Sequence, residues 1–365
     1  MKIIHCADVH LDSPMNRLET SEKKKERKAE LITAFTQIVN YAKKENVRAV
    51  IIAGDLFDQG KVSVTAKKTV LSLIKDSAGI DFYYLRGNHD SSNAFCDSDS
   101  IPSNLFMFGD DWTSYDLGEN VFLTGAELTE TNTAVLSSRL NLDHSRFNIV
   151  TLHGQESLAS PKDNAQVVNI KEYRNRNIDY MALGHVHSYK YEKLDGRGFY
   201  CYPGCLEARG FDETGEHGFV LLDIDGENMS FTAKLISNPI RMPHVLPVNI
   251  SGALDSSDIM KKIDEELAKA AFPQKDLVKV ELTGEVDFQC DKNLAVIEKK
   301  YAGSFYDFKL KDLSVFRVDY EKFRLDESLK GESIRTVEQE QNLSDKEKAE
   351  IIRIGIRALM GEEVE

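Results

Sequence analysis

The sequence is short of several features that would decide its class at once. Five cysteines in 365 residues, an odd number without framework spacing, exclude a disulfide scaffold. Cys201 and Cys205 form a C-x3-C pair, but no second pair completes a zinc site, so all five are expected to be free thiols. No stretch approaches the ~18 uninterrupted apolar residues of a membrane span. Met1 to His5 show no long apolar run of the secretory kind, so a soluble, reducing, cytoplasmic setting without membrane partners is expected. Positive charge is also scarce: 46 Lys and Arg against 60 Asp and Glu leave a net charge of −14 and a pI near 5.2. Such a chain cannot hold a polyanion by its overall field. Contact with nucleic acid would need a local basic surface, a metal site or a partner's surface. This excludes a simple coating protein but not a nuclease. The sequence has no G-x-x-x-x-G-K-[ST] loop, so any ATP dependence must come from another chain.

What is present is ordinary globular material. With 41% apolar and 29% charged residues, cores can form and wholesale disorder is excluded. At ~150 residues per domain, the length suggests two domains. The first 235 or so residues alternate short apolar runs with amphipathic stretches, the pattern of a layered α/β domain. Strands are predicted at 3–7, 47–53, 81–85, 147–152 and 180–183. Helices are predicted at 21–46, where Ile32, Phe35, Ile38, Val39 and Ala42 share one face, and at 64–77. Residues 199–202, 218–223 and 229–236 read as antiparallel strands, the last two joined by the turn Asp225-Gly226-Glu227-Asn228. Two packed sheets flanked by helices follow. Residues 91–112, rich in Ser, Asn and Asp, read as a long surface loop, either functional or a mobile insertion.

Pro239 and Pro243 interrupt the pattern near a boundary at 238–247. Beyond it, strands at 245–250, 277–282 and 306–313 alternate with helices at 256–271 and 291–301, a small α+β domain over 244–320. The charged tail, 326–365, ends in a helix opened by a capping box of Ser344 and Glu347. Ile351, Ile352, Ile354, Ile356, Leu359 and Met360 crowd its turns. So short a tail cannot bury them against itself, so it either folds back on the small domain or docks on another chain.

The chemistry lies where the first domain's strands end. Asp8 and His10 follow the first, and Gly54-Asp55-Leu56-Phe57-Asp58 the second. Gly87-Asn88-His89-Asp90, His153-Gly154 and Gly184-His185-Val186-His187 follow the next three. Strands of an α/β sheet bring their C-terminal ends to one edge, where ligands bind. Asp8 and His10, and His185 and His187, point the same way if strand geometry continues. The adjoining glycines allow sharp turns and close approach to an ion. Nitrogen and oxygen donors without thiolates suit Mn, Fe, Zn or Mg. Seven donors are too many for one tetrahedral ion and suit two ions sharing a carboxylate, roughly 3.5–4 Å apart.

Each piece alone has a plainer reading. D-x-H arises by chance, G-D-x-x-D is as often a capped turn, and N-H-D is an ordinary polar turn. Their joint occurrence, in order and each just after an apolar run, is what chance does not match. Five of the nine histidines fall in these motifs, with His5 beside the first. His5, His144, His217 and His244 are read as structural.

Taken together, Asp8-x-His10, Gly54-Asp55-x-x-Asp58, Gly87-Asn88-His89-Asp90, His153 and Gly184-His185-x-His187 resemble the calcineurin-like metallophosphoesterases. His10-Leu11-Asp12-Ser13-Pro14, Ala182-Leu183-Gly184-His185-Val186-His187 and Tyr202-Pro203-Gly204 narrow this to a resemblance to SbcD-type, YhaO-like DNA repair nucleases. The resemblance implies an α/β fold, a four-layer sandwich of two mixed sheets flanked by helices over 1–237, with a small α+β capping domain and a helical tail. It implies one ion held by Asp8, His10, Asp55 and His187, and another by Asp55, Asn88, His153 and His185, both manganese. His89 would be catalytic, touching the substrate phosphate or leaving oxygen. Asp90 would either orient His89 or merely cap its turn. DNA would be the substrate, in double-strand-break repair or end processing, with an SbcC-type coiled-coil ATPase as partner and a homodimer as the assembly. Two rival readings remain: a small-molecule or nucleotide phosphodiesterase on the same ions, and a non-catalytic DNA-end scaffold. Complete ligand motifs speak against the scaffold, and the second domain and apolar tail against the small-molecule enzyme.

Overall fold

The strand Lys2–Cys6 lies between two neighbours of opposite sense, and the rest of its sheet grows from it. On one side Ala49–Ala53, Asp81–Leu85 and Leu105–Met107 follow in parallel; on the other Gly218–Asp225 is antiparallel to it, and Ser230–Ser237 is antiparallel to Gly218–Asp225. The second sheet is ordered Lys190–Lys193, Phe199–Tyr202, Tyr180–Gly184, Phe147–His153, Val121–Gly125, Thr113–Gly118. Its four inner strands are parallel and its two edge strands antiparallel. The computed structural model describes residues 1–365 except 19, 59–61, 91–94, 96–100, 158–166, 324 and 360–365. Met360 and most of the first part of the predicted 91–112 loop lie outside the described residues.

Three separate cores define four layers. Even-numbered side chains of the central strands (Ile4, Cys6, Val50, Ile52, Phe82) meet Leu31, Phe35 and Ile38 of the helix Ser21–Lys44 and Val70 and Ile74 of the helix Val64–Lys75. Odd-numbered ones (Ile3, Ala49, Ile51, Tyr83) meet Ile149, Tyr180 and Ala182 between the two sheets. Val150, Leu152, Met181 and Leu183 face outward to Leu136, Ile170 and Tyr173. The central strands are buried on both faces, which is why they read as continuous apolar runs. The expected fold class, α/β with two packed mixed sheets flanked by helices, is the one observed.

Two expectations change. Phe199–Tyr202 pairs in parallel with Tyr180–Gly184, and is antiparallel only to the edge strand Lys190–Lys193. Residues 91–112 are not all loop: Leu105–Met107 adds a parallel edge strand beside Asp81–Leu85. A three-residue strand is too short to show a period. The turn at Asp225 to Asn228 is present, with the Asn228 N–H donating to Asp225 Oδ1 at 3.0 Å.

The chain divides into two compact units, Met1–Met242 and Pro243–Glu365. In the second unit Pro243–Asn249, Leu277–Thr283 and Asp307–Asp312 form a parallel sheet, with the helices Ser256–Ala270 and Leu294–Tyr301 as crossovers. Asp255 caps the first of these, accepting from the Ser257 and Asp258 N–H groups. The predicted strand and helix order is kept, and the all-parallel pairing is what the structure adds. The tail folds back on this unit: Ile334, Ala349, Ile352 and Ile356 pack with Phe288, Val318 and Phe323. The capping box is formed, with Ser344 N–H donating to Glu347 Oε2 at 2.8 Å and Glu347 N–H to Ser344 Oγ at 3.4 Å. Ile351, Ile354 and Leu359 stay 42%, 40% and 48% exposed. The four described cysteines, Cys6, Cys201, Cys205 and Cys290, are free and buried. Among the described residues no helix is long and apolar enough to cross a membrane.

Candidate metal centre

All seven predicted donors meet where the strand ends of both sheets converge. The segment after Lys2–Cys6 is laid along the segment after Ala49–Ala53 by backbone bonds. Asp8 N–H donates to Gly54 O (3.1 Å), His10 N–H to Asp55 O (3.0 Å) and Leu11 N–H to Leu56 O (3.0 Å). Asp8, His10 and Asp55 have φ of +52°, +48° and +52°, and His185 has +101°. Strand geometry therefore does not continue from Asp8 to His10, contrary to expectation. The side chains converge through left-handed turns instead, which Asp and His enter more readily than most residues. Such backbone costs about 1–3 kcal/mol per residue and clusters at functional sites.

Two of the close donor groups, Asp8 with His10 and His187 and Asp8 with Asp55 and His153, have Asp8 in common, and Asp55 lies near both. In the first, donor atoms of Asp8, His10 and His187 lie within 4.8 Å of one another. His10 Nε2 is 3.2 Å from His187 Nε2 and 3.7 Å from Asp55 Oδ2. In the second, Asp55 Oδ2 is 3.3 Å from His153 Nε2. Asn88 Oδ1 is 3.1 Å from both His153 Nε2 and His185 Nδ1. The remaining carboxylate positions are fixed by backbone: His185 N–H donates to both Asp8 oxygens (3.1 and 2.9 Å) and His89 N–H to Asp55 Oδ1 (2.8 Å).

Ring tautomers follow from acceptors that cannot donate. His153 Nδ1–H donates to Ala53 O at 2.9 Å, and His187 Nδ1–H to Glu213 Oε1 at 2.7 Å. Each ring is thereby held with its Nε2 edge toward the site, the arrangement by which outer partners orient metal-bound histidines. The approach is close enough to require glycine. A Cβ at Gly184 would lie 1.9 Å from Ala53 O and 2.8 Å from His153 Nδ1, and one at Gly54 (φ +92°) would lie 2.0 Å from His153 Nδ1.

The electrostatics suit a cation. Asp8 and Asp55 are buried at 1% exposure each. Burial, aided by the charge of Asp55, pushes the Asp8 carboxyl up to about 6. Burial acts on Asp55 in the same direction, but its hydrogen bond with His153 and the nearby imidazoles bring it down to about 2. Burial and the Arg209 cation drive His10 down to about 3, and its buried Nδ1 has no hydrogen-bond partner. Two buried carboxylates, an amide oxygen and imidazole nitrogens gathered at one place are the donor types of hard-to-borderline divalent ions.

His89 forms a third close group, with His10 and Asp58. Its Nδ1 is 2.8 Å from Asp58 Oδ1, and that hydrogen bond holds the imidazole above its ordinary pKa. The expectation that Asp90 orients His89 gives way to its alternative. Asp90 accepts from the N–H groups of Gly87 (2.9 Å), Phe57 (2.8 Å) and Leu56 (3.3 Å), and so caps the turn. Asp58, which the motif contained without a role, orients the ring. Sequence reasoning missed Glu213 and Arg209 altogether; they lie in a loop of no recognisable period or motif. His5 and His217 are buried outside the donor sets and His244 pairs with Asp276, in keeping with structural roles.

A family model, calcineurin-like phosphoesterase, matches residues 1–189, which hold every one of these donors. The chain belongs to that family. It carries a candidate His/Asp metal site within the matched residues. It is 26% identical over 246 residues to metallophosphoesterase YhaO of Bacillus subtilis, covering 63% of this chain and 59% of that one. It is 25% identical over 308 residues to the DNA double-strand break repair protein Mre11 of Sulfolobus acidocaldarius (80% and 77%). It is 22% identical over 281 residues to the D component of the nuclease SbcCD of Staphylococcus epidermidis (67% and 72%). The matched part of the phosphoesterase thus spans under two thirds of the Bacillus protein's length.

Proposed function

We propose that this chain is a manganese-dependent DNA nuclease, acting as a homodimer with a coiled-coil ATPase of the SbcC type in DNA-end processing. The observation that carries the reading is the gathering of Asp8, His10, Asp55, His153 and His187 donor atoms at one place, with His89 held there by Asp58. Asp8, His10, Asp55 and His187 would hold one ion, and Asp55, Asn88, His153 and His185 the other. When bound, the ions supply Lewis acidity toward a phosphodiester and toward water. Glu213 and Ala53 O keep the His187 and His153 rings turned to the site. With Nδ1–H committed to Asp58, His89 uses Nε2 to give a proton or hydrogen bond to the leaving oxygen, a role often worth ~10²–10⁴-fold.

The DNA assignment is supported by the named relatives, and the need for a partner by the charge. In the second unit Lys292 is bonded to Asp312 Oδ2 and Ser314 Oγ (2.7 Å each) and Lys300 to Asp264 Oδ2 (2.7 Å). With a net charge of −14 on the chain, a partner surface is expected to supply cations for the phosphates.

The test is digestion of end-labelled DNA beside a chromogenic phosphodiester, in manganese and in magnesium, with and without the ATPase. Manganese-dependent shortening of DNA supports the reading. Turnover of the small ester with DNA untouched would favour the nucleotide phosphodiesterase, and no turnover of either would favour the scaffold.

A further inference from the structure

Behind the donors, one guanidinium touches both halves of the centre. Arg209 and Glu213 lie between the strands Phe199–Tyr202 and Gly218–Asp225. Arg209 Nη2 is 3.2 Å from Glu213 Oε1, and Nη1 is 3.4 Å from Asp58 Oδ2. Glu213 in turn accepts from His187 Nδ1, and Asp58 from His89 Nδ1. The contacts run without a gap from His187 through Glu213, Arg209 and Asp58 to His89.

The group is built in rather than draped over the surface. The Arg209 side chain is 20% exposed, and those of Asp58 and Glu213 10% each. Glu213 Oε2 also accepts from the backbone N–H of Arg209 at 2.6 Å. The backbone just before Arg209 is pinned from behind. The buried Arg27 donates to Ala208 O at 2.8 Å and lies 3.3 Å from Glu207. A loop anchored in this way holds its next side chain to one place.

Arg209 also has little left for a substrate. Its two terminal nitrogens face protein carboxylates, and its Nε is buried without a partner among the described residues. Its Nη2 lies 3.2 Å from His187 Nδ1, but that nitrogen already carries the hydrogen given to Glu213. The planar fork of an arginine can serve two carboxylates at fixed angles, which a lysine ammonium cannot do.

We propose that Arg209 is a positioning residue that sets the His187 and His89 rings together, through Glu213 and Asp58. It ties ion binding to departure of the leaving oxygen. The inference rests on the reading above, that His187 is a ligand and His89 touches the leaving oxygen.

The experiment compares full-length wild type, Arg209→Ala and Arg209→Lys. Manganese binding is followed by calorimetry, kcat and KM on DNA at saturating manganese, folding by thermal unfolding, and turnover with added guanidinium ion. Arg209→Ala should bind manganese ~10–100-fold more weakly, as loss of outer partners does. Its kcat should fall ~10²-fold with KM nearly unchanged, the scale of a misplaced general acid, and guanidinium should restore part of it. Arg209→Lys should keep more of the ion affinity and still lose kcat. Wild-type affinity and kcat in Arg209→Ala would overturn the proposal. So would a loss confined to KM, or losses that follow unfolding and ignore guanidinium. If wild type leaves DNA intact, the nuclease reading fails, while the binding isotherms still decide the role of Arg209. If wild type takes up no manganese, both fall.

Discussion

Asp58 and His89, 31 positions apart in the chain, meet at 2.8 Å with the carboxylate oxygen against Nδ1. The pairing makes Nδ1 the protonated nitrogen and leaves Nε2 for the substrate. His89→Ala should keep both ions and lose ~10²–10⁴-fold in kcat. Asp58→Asn should lose a smaller factor, and the double variant should be no worse than His89→Ala, because two members of one unit are not additive. Metal content by mass spectrometry and single-turnover rates check this. Multiplicative losses would separate the two residues.

Gly184 stands where a side chain would strike the bond that orients His153. Gly184→Ala should weaken metal binding ~10–100-fold and cost about 1–3 kcal/mol in stability through overpacking. Gly196, where an added Cβ would meet nothing within 4 Å, serves as the comparison, and Gly196→Ala should leave metal binding unchanged. Calorimetric titration with manganese distinguishes them; equal isotherms for the two variants would refute the crowding argument.

His5 is wholly buried between the sheets, 2.9 Å from Tyr180 Oη through Nδ1. Burial pulls its pKa down from the ordinary 6.5 to about 3. Between these values the unfolded chain binds a proton that the folded chain does not. The contribution to stability is therefore full above pH 6.5 and is lost as pH falls toward 3, at about 1.4 kcal/mol per pH unit. His5→Asn keeps a polar partner for Tyr180 without a titrating ring. Urea unfolding across this range should show a shallower acid loss in the variant, and parallel curves would contradict the assignment.

Ile334 is fully buried in the cluster formed by the folded-back tail. Ile334→Ala should cost about 2–5 kcal/mol, whereas Ile351→Ala, at a 42% exposed position, should stay within about 0.5 kcal/mol. Both should leave manganese affinity unchanged. Chemical denaturation of the two variants tests this, and equal costs would mean the tail does not pack as described.

Much of the sandwich was legible because its inner strands are buried on both faces and so appear as unbroken apolar runs, each ending in a donor residue. The edge was not. Leu105–Met107 is too short for periodicity, and nothing within Phe199–Tyr202 says whether its neighbour runs with it or against it. The tail's destination was open for a similar reason: its apolar face fits any apolar partner, and only the presence of Phe288, Val318 and Phe323 beside it selects one.

The sequence by itself determined which residue types follow which strands, and hence which side chains gather, because strand ends of an α/β sheet come together at one edge. The tertiary structure decided who orients whom. Asp58 rather than Asp90 holds His89, and Arg209 reaches Asp58 across 151 positions of chain. Such pairings depend on the path of loops that carry no period, which only the folded chain brings within reach of one another.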